Sequence, residues 1–335
     1  MNVALTGGTG CLGQPLLRRL LGNGHNVKLL VEPNDHRIFP AENLSIISGT
    51  VNDEHALREL VEGSDIVFHL AAKVHEFHKT PSVEHEFHEI NSEGTRLLVE
   101  ISKQKKVKRI VFYSTVGVYG KDSNFHGDEI SSCNPNNPYS QTKYMAERYV
   151  LESFKTGGPD GVVLRFPVVY GPFDRGNIFK LIEAVYKRQF FIIGNGKNLR
   201  SMISSENTAV AALLAGTHPK AANQIFCVTD GRDYTIEEIL DTICTVLGFS
   251  CRPIHLPLFA AKTIGNIGDI SETIFKWQAP LNTDRVRKLS SSLTFSCDKI
   301  QKELGYRPVQ TLEEGIRDEV KSGNFEIKLS KMRRL

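Results

Sequence analysis

The chain has 335 residues and a mass of 37.4 kDa, which suits one large domain or two closely joined ones. Its residues are 40% hydrophobic and 24% charged, a composition that excludes collagen, coiled coil and a disordered chain. The 41 basic and 38 acidic side chains leave a net charge of +3, too small to favour nucleic acid as a partner.

Apolar runs in the first half of the chain predict buried β-strands, and amphipathic patterns between them predict helices. The longest helices are expected over about 84–104 and 137–155. This alternation is typical of a parallel sheet covered by helices on both faces. The predicted strands are 2–6, 26–31, 44–48, 65–70, 108–113 and 161–165.

After Arg165 the alternation weakens, although residues 224–228 predict one more strand that returns to the sheet. We therefore expect an α/β fold, a Rossmann-type doubly wound parallel sheet with a smaller, interleaved C-terminal lobe for the substrate. The expected bounds are 1–165 plus about 200–230 for the dinucleotide-binding domain, about 166–199 plus 231–325 for the lobe, and 326–335 for a basic tail.

The apolar runs, the amino terminus and the cysteines bear on where in the cell the protein is expected. No run of 18 apolar residues is present, so we expect no membrane span. The amino terminus enters a strand-like run without a basic leader, and we expect no signal peptide. The six cysteines include no Cys-x-x-Cys pair, which indicates neither a disulfide framework nor a zinc site. A cytoplasmic location is the simplest expectation.

A glycine-rich loop follows the first predicted strand and opens the first helix. It contains Gly-x-x-Gly-x-x-Gly at Gly7, Gly10 and Gly13, and Gly-x-Gly-x-x-Gly beginning at Gly8. Glycines let the backbone turn sharply and approach a pyrophosphate, whose charge then lies at the positive end of the helix. The loop predicts a dinucleotide-binding site.

The end of the second predicted strand bears on which dinucleotide is bound. Glu32 stands where an acid would accept both ribose hydroxyls, which favours NAD. The alternative is that Glu32 is a solvated residue that starts a loop. His36 and Arg37 follow closely, and they would suit a 2′-phosphate. The residues favour NAD and leave NADP open.

A second motif places Tyr139 and Lys143 four residues apart on a predicted helix, so that both lie on one face. A neighbouring ammonium stabilises a phenolate and makes tyrosine usable as a general base. Thr115 ends the fifth predicted strand, at the edge of the sheet where ligands bind, and its hydroxyl would donate a hydrogen bond to a substrate oxygen.

With these motifs in order, the chain resembles the extended short-chain dehydrogenase/reductase superfamily, in particular its NAD-dependent epimerase/dehydratase and 3β-hydroxysteroid dehydrogenase-like branches. The resemblance runs over nearly the whole chain. The matching segments are the loop 7–13, His-Leu-Ala-Ala at 69–72, Asn-Ser-Glu-Gly-Thr at 91–95, Ser-Thr at 114–115, Tyr139 with Lys143, Leu-Arg at 164–165, Tyr-Gly-Pro at 170–172 and Glu-Leu-Gly-Tyr-Arg-Pro at 303–308.

The resemblance implies an enzyme in which Tyr139 exchanges the proton, Lys143 lowers the pKa of that tyrosine and holds the nicotinamide ribose, and Thr115 orients the substrate oxygen. It also implies a homodimer formed through the two long helices. Together with the loop and Glu32, the expected cofactor-binding residues are Gly7, Gly10, Cys11, Leu12, Gly13, Glu32, Arg37, Val51, Leu70, Ala71, Ala72, Tyr139, Lys143 and Pro167.

Two departures from the family pattern bear on the substrate. Val116 and Gly117 stand where dehydratases need an acid and a base, which argues against sugar dehydration. Val168 stands where nucleotide-sugar epimerases carry an asparagine. Arg200 lies in a segment that resembles the epimerase diphosphate-binding segment, and its alternative is a surface residue at the start of a strand. The expected substrate-binding residues are Arg200, Thr115 and Tyr139.

From these residues we expect an NAD(P)-dependent oxidoreductase that moves a hydride between nicotinamide and a secondary alcohol or ketone carbon of a steroid-like or other small hydroxy compound. The alternatives are an NAD-dependent nucleotide-sugar epimerase and a non-catalytic NAD(P)-sensing or scaffold protein. No metal is expected. The histidines His75, His78, His85 and His88 are interpreted as a polar loop and helix start near the mouth of the active site, because their spacing does not form a ligand signature.

Overall fold

The computed structural model describes residues 1–35, 37, 39–74, 81–121, 123–250, 253–275 and 281–323. The strands of the described residues are β1 Asn2–Thr6, β2 Asn26–Val31, β3 Leu44–Ser48, β4 Ile66–His69, β5 Arg109–Thr115, β6 Phe125–Gly127, β7 Asp160–Phe166, β8 Val168–Tyr170, β9 Phe191–Ile193, β10 Leu199–Ser204, β11 Gln224–Cys227, β12 Asp233–Thr235, β13 Ile254–Leu256 and β14 Leu293–Phe295.

The helices alternate with these strands in the first half of the chain and dominate the second half. They are α1 Gly13–Gly22, α2 Glu54–Val61, α3 Pro81–Phe87, α4 Gly94–Gln104, α5 Pro138–Glu152, α6 Asn177–Tyr186, α7 Ser205–Thr217, α8 Ile236–Leu247, α9 Leu258–Phe275, α10 Thr283–Ser290, α11 Asp298–Leu304 and α12 Leu312–Ser322. In the part of the chain that the structure describes, no helix is both long and apolar enough to cross a membrane.

Among the described residues, seven parallel strands form the main sheet, in the order β11-β7-β5-β4-β1-β2-β3. The strand order reverses beside β1, which is the switch point where doubly wound folds bind ligands. The predicted α/β fold with a Rossmann-type parallel sheet is confirmed. The strand expected over 224–228 returns to this sheet as β11, beside β7.

Each face of the main sheet has its own apolar core, because successive side chains of a strand point to opposite faces. Val3 and Leu5 of β1 pack with α1, α7 and α11, whereas Ala4 between them packs with α2, α4 and α5. All three side chains are almost completely buried. The sheet is therefore covered on both sides, and its ligand-binding residues must lie at the strand ends.

The helix expected over about 84–104 is not continuous. α3 and α4 are joined by a π-helical segment, His88–Glu93, which inserts extra backbone into each turn. Such segments are rare and often lie at functional sites. Asn91 lies within this one, as described below.

The remaining strands form two smaller sheets. β12, β10, β14 and β6 are hydrogen-bonded in that order, β8 pairs with β10, and β13 pairs with β9. A third core of α6, α8 and α12 packs beside β8 and β10. The exact bounds of the two expected lobes stay a prediction. Cys244 of α8 is disulfide-bonded, a bond that the cysteine spacing did not indicate.

Candidate active site

The glycine-rich loop between β1 and α1 is packed too tightly for side chains at two positions. Gly7 has a φ of +72°, and a Cβ atom there would lie 2.6 Å from the backbone nitrogen of Ala71. A Cβ atom at Gly13 would lie 2.1 Å from the carbonyl oxygen of Gly7. At Gly10 the only such contact is the same oxygen at 3.5 Å, so a Cβ there would extend into open space above the loop.

This open space lies at the start of α1, where backbone N–H groups concentrate. The cap residue Leu12 makes no side-chain hydrogen bond to them. The N–H groups of Gly13 and Gln14 bond to the Gly10 carbonyl oxygen, whereas among the described backbone bonds none uses those of Cys11 and Leu12. These two can bind an anion, and the positive end of the helix dipole favours a pyrophosphate there. Burial, together with nearby Asp174 and Glu319, raises the pKa of the Cys11 thiol, which stays protonated. The loop as folded fits the phosphates of a dinucleotide.

The end of β4 is tied to this loop by a buried hydrogen-bond network around His69. The Thr6 hydroxyl lies 2.7 Å from His69 Nδ1 and accepts from the backbone N–H of Ala71 at 3.2 Å. On the other side of the ring, Nε2 lies 2.9 Å from the hydroxyl of Thr95. Burial lowers the pKa of His69 to about 3, so the ring is neutral at physiological pH. The network places Leu70 and Ala71 directly against Gly7.

Tyr139 and Lys143 lie in the first two turns of α5, which begins in a capping box formed by Asn137 and Ser140. Lys143 is 2% exposed, and its Nζ lies 4.0 Å from the centroid of the Phe112 ring. Burial lowers the pKa of Lys143 to about 7, against an opposing effect of Glu147. Burial also raises the pKa of Tyr139 to about 12.

Both reactive groups are therefore shifted by burial toward their neutral forms. A tyrosine with a pKa of about 12 is a poor base at neutral pH. The positive charge of Lys143, and that of any cation bound beside it, shifts the equilibrium back toward the phenolate. The site is thus built so that added positive charge activates Tyr139.

Thr115 ends β5 beside the first turn of α5. A Cβ atom at Gly117 would lie 3.3 Å from Thr115 Oγ1 and 3.6 Å from the Cβ of Ser140, the residue next to Tyr139. Thr115 Oγ1 accepts a hydrogen bond from the backbone N–H of Gly117 at 3.0 Å. Because that bond uses a lone pair, the hydroxyl proton of Thr115 remains able to bind a substrate oxygen.

Asn91, in the π-helical segment, joins the strand end to the helix of the reactive pair. Its side-chain oxygen accepts from the backbone N–H of Lys73 at 2.7 Å, and its amide nitrogen lies 3.3 Å from the hydroxyl of Thr142. Thr142 directly precedes Lys143 and is buried. The segment therefore links the position of α5 to the chain that leaves β4.

The expected adenosine end of the site is an open groove of about 530 Å³ that follows β2 and includes Glu32 and Thr50. Arg37 also lines it, but its guanidinium forms a two-pronged ion pair with Asp35, with Nη2–Oδ2 at 2.7 Å and Nε–Oδ1 at 2.9 Å. This pair lowers the pKa of the Asp35 carboxyl. Val51 is 5% exposed and packs in the core, which leaves only its backbone for a ligand.

A family model described as the NAD dependent epimerase/dehydratase family matches residues 3–234 of this sequence. The chain belongs to that family. It is accordingly an enzyme chain with NAD as the family's cofactor, as the loop and the resemblance predicted. The expected membership of the extended short-chain dehydrogenase/reductase superfamily is confirmed.

The relatives of this chain have different activities. A UDP-glucose 4-epimerase of Vibrio cholerae is 27% identical, over 94% of this chain and 93% of the relative. A decarboxylating sterol-4-alpha-carboxylate 3-dehydrogenase of Dictyostelium discoideum is 28% identical, over 91% of this chain and 95% of the relative. The crystal structure of a UDP-glucuronic acid 4-epimerase from Bacillus cereus with NAD shares the fold, with a TM-score of 0.76 at 20% identity over 97% of this chain and 99% of that one.

Arg200, expected at the substrate, has its guanidinium bonded to the protein backbone. It donates to the carbonyl oxygens of Leu199, Lys288 and Ser291, between α10 and β14. Burial lowers the pKa of this guanidinium. Pro167, expected at the cofactor, lies between β7 and β8 and is partly exposed. The roles of both residues stay predictions.

Among the described residues, the histidines singled out from the sequence do not form a cluster. His75 and His78 lie outside the described residues, as does His36. His85 of α3 is exposed, and His88 begins the π-helical segment. The ranges described contain no group of three or more His, Cys, Asp or Glu side chains placed to hold a metal ion.

Three charged residues that the structure places at or near the site were not singled out from the sequence. Asp35 pairs with Arg37, Glu147 contacts the strands beneath the reactive pair, and Glu319 approaches the glycine-rich loop near Cys11. Only Glu147 carried a signal in the sequence, because it lies four residues after Lys143 and therefore on the same helix face. Asp35 is two residues from Arg37, but neither helical nor strand periodicity indicates that their side chains meet in this loop, and Glu319 reaches the site from α12, far along the chain.

Proposed function

We propose that this protein is an NAD-dependent oxidoreductase that moves a hydride between nicotinamide and a secondary alcohol or ketone carbon of a steroid-like or other small hydroxy compound, with net turnover of the cofactor. The observation that carries the proposal is the set of three groups at one edge of the sheet: a hydroxyl able to donate at Thr115, a partly buried phenol at Tyr139 and a buried amine at Lys143.

In alcohol oxidation, the Thr115 hydroxyl donates a hydrogen bond to the substrate oxygen and holds that oxygen in place, without giving up its proton. Tyr139, as phenolate, removes the proton of the substrate hydroxyl, and the Lys143 ammonium stabilises that phenolate. NAD, when bound, supplies the hydride acceptor and a further positive charge. In ketone reduction the proton moves from the Tyr139 hydroxyl to the substrate oxygen.

The residues that would hold the cofactor are the loop Gly7–Gly13 for the pyrophosphate and Glu32 for the adenine ribose. Leu70 and Ala71 lie against Gly7, where the chain passes from one half of the dinucleotide site to the other. Since Asp35 already neutralises Arg37, the groove offers no free cation from that residue to a 2′-phosphate. This pairing supports NAD over NADP.

The second candidate is a nucleotide-sugar epimerase, which oxidises and re-reduces one carbon without releasing NADH. Epimerases among the relatives favour it. Two features favour the dehydrogenase instead. Val168 offers no polar side chain to a diphosphate, and the bonds of Arg200 to three backbone carbonyls occupy a guanidinium that a diphosphate would need.

Purified full-length protein separates the candidates. It is denatured and its supernatant assayed for retained NAD, and the native protein is incubated with NAD or NADP and a panel of hydroxysteroids, sterols and UDP-sugars. A dehydrogenase produces NADH at 340 nm with an alcohol and releases its cofactor. Conversion of a UDP-sugar to its 4-epimer with firmly retained NAD would contradict the proposal, and no activity with intact NAD binding would favour a non-catalytic NAD-sensing role.

We also propose that the protein is cytoplasmic and forms a homodimer, as the sequence predicts. The expected dimer face consists of the segments of α3–α4 and α5. Analytical ultracentrifugation gives the mass in solution, and a monomer at micromolar concentration would contradict the dimer.

A further inference from the structure

A buried ion pair lies one helical turn beyond Lys143 and links the helix of the reactive pair to the sheet. Arg165 of β7 donates to Glu147 of α5 through two parallel bonds, Nε–Oε1 at 3.0 Å and Nη2–Oε2 at 2.7 Å. The side chains are 3% and 1% exposed. Two-pronged arginine–carboxylate bonds fix orientation as well as distance. The pair therefore locks α5 to β7 in one position.

The same carboxylate also binds the strand that carries Thr115. Ser114 donates its hydroxyl to Glu147 Oε1. Ser114 and Arg165 are register partners in the adjacent parallel strands β5 and β7, so the carboxylate lies over both strands at one level. The next residue of β5 is Thr115. One side chain thus sets the position of α5 relative to the residue that orients the substrate oxygen.

Glu147 also sets the charge around Lys143. The groups that interact with the Lys143 amine are the Phe112 ring of β5, the neutral His69 of β4 and Glu147 of its own helix. Tyr139 lies one turn earlier on that helix. Burial disfavours the ammonium, and Glu147 favours it. Arg165 offsets part of the Glu147 charge, and its Nη1 also donates to the hydroxyl of Tyr119 at 3.0 Å.

We propose that Glu147 is a positioning residue for the reaction: it holds Lys143 and Thr115 in a common frame and places a negative charge one helical turn beyond Lys143, and Arg165 limits the effect of that charge. This inference rests on the proposed function, because it assigns a purpose to the charge on Lys143. It adds a second layer to the site, formed by Ser114, Glu147 and Arg165, which the reacting atoms do not touch.

The two partners should then have opposite effects on Lys143. Glu147→Gln removes the negative charge, so Lys143 should lose its proton about one pH unit lower. Arg165→Met removes the guanidinium and leaves the Lys143 ammonium as the cation that interacts with Glu147, so Lys143 should lose its proton at higher pH. The readout is the NMR titration of ¹⁵N-labelled lysine Nζ in the full-length protein, with the Lys143 signal assigned by its loss in Lys143→Met. This measurement needs no substrate.

If the Arg165–Glu147 ion pair were purely structural, a different change in the Lys143 titration would be expected. Both substitutions would then loosen the same contact and move the titration in the same direction or not at all, and either outcome overturns the proposal. Ser114→Ala provides a second test in case Arg165→Met does not fold. It removes one hydrogen-bond donor from Glu147, so Lys143 should lose its proton at a slightly higher pH, with a smaller shift than in Arg165→Met. Glu152→Gln is the matched control, because Glu152 lies on the same helix with its side chain 52% exposed. It should leave the titration unchanged.

With an active substrate, Glu147→Gln should lower kcat about tenfold at neutral pH, with KM changed less than twofold, and it should move the alkaline limb of ketone reduction to lower pH. If Tyr139→Phe keeps full turnover while the Lys143 titrations shift as expected, the proposed function fails, and with it the role of Glu147 in the reaction; only the effect of Glu147 and Arg165 on the Lys143 amine then stands. If Tyr139→Phe is inactive and the titrations do not diverge, only the inference fails.

Discussion

Two regions of the molecule bury a glutamate, and they treat it differently. In the parallel-sheet region, Glu147 is 1% exposed and is paired with Arg165 and Ser114. In the C-terminal region, Glu319 of α12 is fully buried and accepts a hydrogen bond from the backbone N–H of Gly171 at 3.0 Å, and within the described part of the chain its Oε1 has no hydrogen-bond partner. Burial, reinforced by Asp174, raises the pKa of Glu319 to about 9.

The difference shows what each region is built to do. The Glu147 carboxylate is matched by the Arg165 guanidinium, and its negative charge favours the charged form of Lys143. The Glu319 carboxyl is buried near the like-charged Asp174 instead, so it takes up a proton and binds the backbone of the Tyr-Gly-Pro turn as a neutral polar group. The carboxylate matched by a cation is thus the one next to the proposed reactive pair, and the unmatched one lies on the side of the glycine-rich loop.

The largest effect should come from Tyr139→Phe, which tests whether the sheet region alone carries the chemistry. Loss of the proton-transfer group should lower kcat by about 10² to 10⁴-fold, because general acid–base catalysis contributes that much. NAD affinity, measured by calorimetry, should change less than twofold. Tyr149→Phe on the same helix is the matched control. An equal loss of NAD binding in Tyr139→Phe would make the residue structural.

The same substitution in the two regions should change stability with opposite sign. Glu147→Gln leaves Arg165 buried without a counter-charge, which costs about 3–5 kcal/mol of unfolding free energy. Glu319→Gln should stabilise the protein, increasingly so as pH rises.

The sign follows from the proton balance. Between its unfolded pKa of 4.5 and its folded pKa of about 9, Glu319 holds a proton only in the folded state, so wild-type stability falls by about 1.4 kcal/mol per pH unit as pH rises. Glu319→Gln removes that slope. Urea unfolding at pH 5, 7 and 8.5 measures it, and an unchanged slope would show that Glu319 is charged in the folded protein.

A smaller effect is expected from Gly13→Ala in the glycine-rich loop. The added Cβ would lie 2.1 Å from the Gly7 oxygen, so the loop must shift. Overpacking costs about 1–3 kcal/mol, which corresponds to roughly 100-fold weaker NAD binding at its upper end. Gly22→Ala, at the end of the same helix and with nothing within 4 Å of its Cβ, is the control. Calorimetry with NAD measures both, and equal affinities would remove the loop from the site.

The smallest effect concerns the adenosine end, where Asp35→Asn frees Arg37. The released guanidinium should then bind a 2′-phosphate and strengthen NADP binding about tenfold, the value of one hydrogen bond to a charged group. NAD binding should change little. The double variant with Arg37→Gln should lose the gain, and if it keeps the gain, Arg37 is not the cause. Fluorescence titration with NADH and NADPH gives the ratio.

Prediction succeeded where structure depends on nearby residues. The bounds of β1 and β2 match the apolar runs, because a strand buried on both faces needs apolar residues at nearly every position. The bounds of β3 also match, although it is the edge strand and only Ile47 in it is buried. The interruption of the helix expected over about 84–104 was missed, since a π-helical segment leaves the apolar pattern almost intact. The three-residue strands β6 and β14 were also missed, because they pair across about 168 residues.

The sequence by itself determined the parallel sheet, the glycine-rich loop, the Tyr139–Lys143 pair and the family, because each rests on periodicity or short spacing that local chemistry enforces. Only the tertiary structure decided which buried carboxyl groups are paired with a cation. The pairing of Glu147 with Arg165, and the protonation of Glu319 beside Asp174, depend on residues brought from other elements and on removal from water. Both follow from how the whole chain packs, and no local pattern records them.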